Sequence, residues 1–193
     1  LNDSDFKQYD FEHPSVLFIL EDKLKGLLGG VVLYGKYFKT FGLKGNENVL
    51  DFGCGGGAGS RCLADLLTEG GHLTCVDVSS HWIEKARNRL KKYSNVECKA
   101  GDIRELDIPD SSFDVISAIH VVHDIGPAER QDVLKTVSQK LKAGGFFFIR
   151  EPVKKSHGMP VEEIRTFLSK ASLEEIEHKK SKSEYMAKYQ KSG

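Results

Sequence analysis

The chain carries no excess of charge: 28 Lys and Arg balance 28 Asp and Glu across 193 residues. No global field therefore draws it toward nucleic acid or an anionic membrane surface, and neither partner is expected. Long hydrophobic runs are also missing. The apolar stretch from Gly144 to Ile149 is among the longest and falls far short of a bilayer span. A secretory leader is not legible, because the opening residues Leu1 to Phe6 are acidic where a leader is basic. The chain does not begin with methionine, which suggests a trimmed start. Four cysteines (54, 62, 75 and 98) show no Cys-x-x-Cys spacing, which argues against a zinc site and a disulfide frame. Buried thiols in a reducing compartment fit better, so a cytoplasmic protein is expected.

What is present is an alternation of short apolar runs and amphipathic stretches. Strands are expected at 48–52, 72–78, 96–100, 113–118 and 146–151, with helices at 59–67, 80–93, 127–141 and 162–170. Glu84 is expected to support the capping of the second helix by Ser79 or Ser80. Two further strands, 173–179 and 184–189, are close enough to pair as an antiparallel hairpin. This order predicts an α/β fold with a largely parallel sheet and helices on both faces. Residues 1–45 read differently, with helices expected from about Pro14 to Leu28 and from Val31 to Phe41. They are expected to pack on the main sheet as an N-terminal cap or to close over the ligand as a lid, with residues 46–193 as the main domain.

The sharpest local signal is the run from Val49 to Gly57, VLDFGCGGG, an apolar strand entering a glycine-rich turn. Glycines at such a junction let backbone approach a ligand closely, and Gly53 to Ala58 also fits a dinucleotide fingerprint. Asp51 separates the two readings. Its carboxylate repels a pyrophosphate but suits a ligand with a cationic end, an ammonium beside a sulfonium. The run therefore reads as an S-adenosylmethionine site.

Four more segments follow in order: Cys75 to Ser79 (CVDVS), Ala100 to Ile103 (AGDI), Pro109 to Ile116 (PDSSFDVI) and Leu141 to Phe146 (LKAGGF). Together with the glycine turn, this set resembles class I S-adenosylmethionine-dependent methyltransferases of the small-molecule kind, from about Glu47 to Tyr189. The resemblance implies a Rossmann-like sheet of seven strands, six parallel and one reversed, with cofactor across the strand ends. It also implies the cofactor contacts: Gly53, Gly55 and Gly57 at the turn, Asp51 toward the ammonium, and Asp77 toward the ribose hydroxyls. Val78 lies beside Asp77. Asp102 and Ile103 would meet the adenine edge, Trp82 its face, and Ala118 would end the fourth strand.

The same resemblance points to the acceptor side in the segment Ala118 to Ile125, AIHVVHDI. His123 followed by Asp124 is similar to the O-methyltransferase segment in which a histidine deprotonates the acceptor hydroxyl. Glu151 matches the acid that steadies it, and His120 ranks second as a base. Two departures stand out. Ile125 replaces a tryptophan common after the pair, and only some 45 residues precede the first motif. C- or N-methylation without a base stays open, as does a non-catalytic cofactor-binding subunit. An NAD-dependent oxidoreductase is more remote. The connection from Val153 to Pro160, with Gly158, is expected to be a loop capable of motion.

Overall fold

The computed structural model describes Glu12, Pro14, Leu20, residues 34–154 and residues 157–193. These divide into two compact units, one ending at Asp102 and the next beginning at Ile103. The helix expected from Pro14 to Leu28 lies outside the described residues, as does the start of the one expected from Val31. The remainder of that second helix is α1 (Gly35–Lys39), which buries Phe38 completely.

The first unit continues with β1 (Asn48–Phe52), α2 (Ala58–Ala64), β2 (His72–Asp77), α3 (Ser80–Leu90) and β3 (Val96–Ala100). The three strands run parallel in the order β3-β2-β1. β1 is buried from Val49 to Phe52 and β2 from Leu73 to Val76, because both faces are covered, as a parallel strand requires. α3 buries Trp82, Ile83, Ala86 and Leu90 on one face. Its N-cap is Ser79, whose hydroxyl accepts from the Trp82 N–H at 3.2 Å. Glu84 lies two residues beyond the position from which a capping carboxylate reaches back, so the expected reciprocal contact is replaced by the serine alone.

The second unit contains β4 (Phe113–Ile119), a single 3₁₀ turn (Val122–Asp124), α4 (Arg130–Lys140) and β5 (Leu141–Lys154). β6 (His157–Gly158), α5 (Val161–Lys170), β7 (Leu173–Lys180) and β8 (Glu184–Lys191) complete it. β4 and β5 are parallel, while β8 is antiparallel to both β5 and β7. The expected C-terminal hairpin is therefore present, with β8 the reversed strand. β5 starts at Leu141 rather than Phe146, because a bulge opposite Phe113 and Val115 absorbs the intervening residues. β6 pairs antiparallel with the end of β5, Val153 opposite Gly158 and Lys154 opposite His157. A Cβ on Gly158 would lie 2.2 Å from the Pro152 carbonyl oxygen, so only glycine fits at that position.

α5 buries Val161, Ile164 and Leu168, with Glu162 and Glu163 in its first turn and Lys170 in its last, matching the helix dipole. It is tied to the hairpin by a polar network. Arg165 makes two bonds to Glu175, at 2.8 and 3.0 Å, and Glu175 also accepts from Tyr185 and Tyr189. Although partial burial opposes its ionisation, Arg165 and the two phenols hold the Glu175 carboxyl down at about 2. A depressed carboxyl stabilises the fold above its unfolded value, and that contribution is lost as pH falls toward the folded one. Thermal melts should therefore show stability falling between about pH 4.5 and 2. In Glu175→Gln the melting temperature at neutral pH should drop and that acid-side slope should flatten.

Candidate active site

In the first unit the chemistry collects at the carboxyl ends of β1 and β2. Gly53 and Cys54 both donate to the Val76 carbonyl, at 2.8 and 3.0 Å, which folds the glycine turn over the end of β2. Gly53, Gly55 and Gly57 all have left-handed backbone, with φ of 72°, 51° and 77°. There a side chain costs about 1–2 kcal/mol. Gly57 is also crowded: a Cβ would sit 3.1 Å from Ala86, so it sets how closely α2 and α3 approach. Gly55 has nothing within 4 Å of that point and faces open space.

Asp51 is 5 % exposed, and its Oδ2 accepts from the Ser60 hydroxyl at 2.6 Å. Asp77 receives one N–H on each oxygen, Ser79 on Oδ1 at 3.0 Å and Gly55 on Oδ2 at 2.9 Å. Burial raises its pKa above the ordinary aspartate value, and these two N–H bonds oppose that rise. Val78 next to it is 61 % exposed, unusually open for an apolar side chain at a strand end. Trp82 is buried, with the Lys85 ammonium 4.3 Å from its ring centre and His81 edge-on. Gly101 donates to the Asp77 carbonyl at 3.0 Å, which brings Asp102 to the end of β2.

In the second unit Ile103 and Ala118 are buried, and the polar groups gather beyond β4. Glu151 of β5 is fully buried. It accepts from the backbone N–H groups of Val121, Val122 and His123 (2.9, 2.8 and 3.4 Å) and pairs with His123 Nδ1 at 2.6 Å. His123 Nε2 lies 3.4 Å from Asp124 Oδ1. Burial works against the imidazolium, but the bond and charge of Glu151, with Asp124, raise its pKa above the ordinary 6.5. Arg130 clamps the turn from the other side, donating to the His123 carbonyl at 3.1 Å, the Ile125 carbonyl at 3.0 Å and Glu163 at 3.0 Å.

A model of the family described as methyltransferase domain matches residues 49–145. The chain belongs to this family. A solved S-adenosylmethionine-dependent methyltransferase from Aquifex aeolicus superposes with a TM-score of 0.76, covering 95 % of this chain and 99 % of its own at 22 % identity. That likeness shows the fold, a Rossmann-like, mostly parallel sheet of seven strands ending in an antiparallel hairpin. The chain is 32 % identical to a demethylmenaquinone methyltransferase of Tropheryma whipplei (strain Twist) over 58 % of its own length and 45 % of the relative's. It is 30 % identical to a carboxy-S-adenosyl-L-methionine synthase of Pseudoalteromonas translucida (strain TAC 125), over 63 % of its own length and 49 % of the relative's. The chain thus spans about half the length of these curated relatives. It is a class I S-adenosylmethionine-dependent methyltransferase domain.

Among the described residues no helix is long and apolar enough to cross a membrane, and no cluster of His, Cys, Asp and Glu side chains suits a metal ion. Sequence reasoning did not find Ser60 or Arg130 as parts of these arrangements. Each meets its partner only through tertiary folding, with no local pattern to announce it. The Gly57 contact gives a direct test. Gly57→Ala combines left-handed strain of about 1–2 kcal/mol with a 3.1 Å contact, and its melting temperature should fall well below that of Gly55→Ala.

Proposed function

We propose that this domain transfers a methyl group from S-adenosylmethionine to a small-molecule hydroxyl, with His123 as the base. The observation that carries the reading is the buried His123–Glu151 pair just beyond β4. The residues of the first unit fit the cofactor on physical grounds. Each Asp77 oxygen uses one acceptor position on a backbone N–H and keeps another for a ribose hydroxyl. Open space at Gly55 leaves room for close approach, and Val78 offers the apolar surface a base ring needs. Trp82 packs beneath, with one face taken by Lys85. Asp51, held by Ser60, provides negative charge for the ammonium, directly or through a water. Asp102 serves the adenine edge.

Bound S-adenosylmethionine supplies an electrophilic methyl on a sulfonium. The chain's own task is alignment and removal of one proton. With Nδ1–H given to Glu151, His123 presents Nε2 as the basic nitrogen, and Asp124 stabilises the cation that forms. The Glu151 and Arg130 contacts fix the turn on both sides, so the ring is oriented before the acceptor arrives. The demethylmenaquinone methyltransferase relatives support a second reading, a quinone-class acceptor methylated at carbon. The four free thiols support a cytoplasmic setting.

Asp77→Ala should weaken S-adenosylmethionine binding by roughly ten- to a hundredfold, the loss of charge-assisted bonds worth about 1.5–3 kcal/mol. Unchanged affinity by calorimetry would remove the ribose role. His123→Ala should lower kcat by about 10²–10⁴-fold on a phenol or quinol acceptor while sparing cofactor affinity. In the wild type, kcat/KM should fall on the acid side with an inflection above 6.5, because a raised pKa keeps the base protonated to higher pH. Glu151→Gln should move that inflection down. NMR of the product, distinguishing methyl on oxygen from methyl on carbon, separates the two acceptor readings.

A further inference from the structure

Methylation of a neutral hydroxyl by a sulfonium yields a thioether, a methyl ether and one proton in every turnover. If His123 takes that proton, as proposed above, it must discharge it before the next cycle. Its side chain is only 6 % exposed, so direct exchange with bulk water is obstructed. A second histidine stands beside it. The rings of His120 and His123 are 6.4 Å apart, centre to centre, and nearly perpendicular. One water bridging two nitrogens through hydrogen bonds of about 2.9 Å spans such a gap.

His120 is built into this position. It has left-handed backbone, φ 54°, at the end of β4, and its N–H donates to the Arg150 carbonyl at 2.8 Å. Its Nε2 lies 3.0 Å from Glu184 Oε1, and Arg150 holds both Glu184 oxygens, at 3.1 and 2.9 Å. Glu184 thereby fixes the tautomer with hydrogen on Nε2 and leaves Nδ1 as an acceptor. Nδ1 makes no hydrogen bond within the described residues, and 37 % of the side chain is open to solvent. The charged groups around the ring are Glu184 on β8, Arg150 and Glu151 on β5, and His123 itself. Burial, against the pull of Glu151, and Arg150 hold His120 below the ordinary imidazole value, so it is neutral and ready to receive at neutral pH.

We propose that His120 is the exit station for the proton that His123 takes from the acceptor. The proton moves from the hydroxyl to His123 Nε2, through a bridging water to His120 Nδ1, and from there to bulk water. Glu184 and Arg150 are positioning residues for this step. No electron changes hands, and the single proton leaving His120 balances the one lost by the acceptor.

The test needs no acceptor. In ¹⁵N-labelled protein, NMR saturation transfer from water reads the exchange rate of the His123 ring protons. His120→Asn and His120→Gly both tolerate the left-handed backbone, so the fold is kept and the relay nitrogen removed. Exchange at His123 should slow by roughly tenfold or more in both, with the His123 pKa unchanged, and imidazole in the buffer should restore it in the glycine variant. Equal exchange in wild type and both His120 variants overturns the relay. Failure of His123 as base shows elsewhere, as full activity of His123→Ala, so the two ideas fall separately.

Discussion

The second unit depends on one buried carboxylate. Glu151 has no exposure to solvent, and a charge in that position costs several kcal/mol unless its lone pairs are matched. They are matched by three consecutive backbone N–H groups and one imidazole. The requirement works in both directions. Glu151 needs the turn after β4 to present its N–H groups together, and the turn needs Glu151 because those groups have no strand partner. His123 is oriented as a consequence. Arg130 completes the arrangement by taking the carbonyls that the same turn leaves over.

A common physical device supports both halves of the proposed chemistry. Each relies on left-handed backbone at a strand end, where regular hydrogen bonding stops and groups become available to a ligand. After β1 the left-handed positions are glycines, which keep backbone bare. After β4 the position is His120, which keeps a side chain there despite the strain. The first choice suits close approach of a nucleoside, the second a group that must exchange protons. Stability is supplied elsewhere, by the covered parallel strands and by the Arg165–Glu175–tyrosine network.

Much of the fold was legible in the sequence because parallel strands covered on both faces are mostly apolar at their centres, and the helices keep an apolar face. β1 and β3 begin and end where the pattern predicts. The misjudged start of β5 has a physical reason: the strand gains its first residues through a bulge that no periodicity marks. Asp51, Gly55 and Asp77 stood out because glycine and acid at a strand end are locally unusual. Glu151 was visible only through the family likeness. Glu184, sixty-four residues from His120, had no local signal at all.

The central claim is that the first unit is shaped for a nucleoside carrying a cationic end and not a pyrophosphate. Calorimetric titration of the protein with S-adenosylmethionine, its demethylated product and NAD in parallel tests this most directly. The account predicts saturable binding of the first two and none of NAD. Binding of NAD with no response to S-adenosylmethionine would contradict the reading of Asp51, and with it the methyltransferase account.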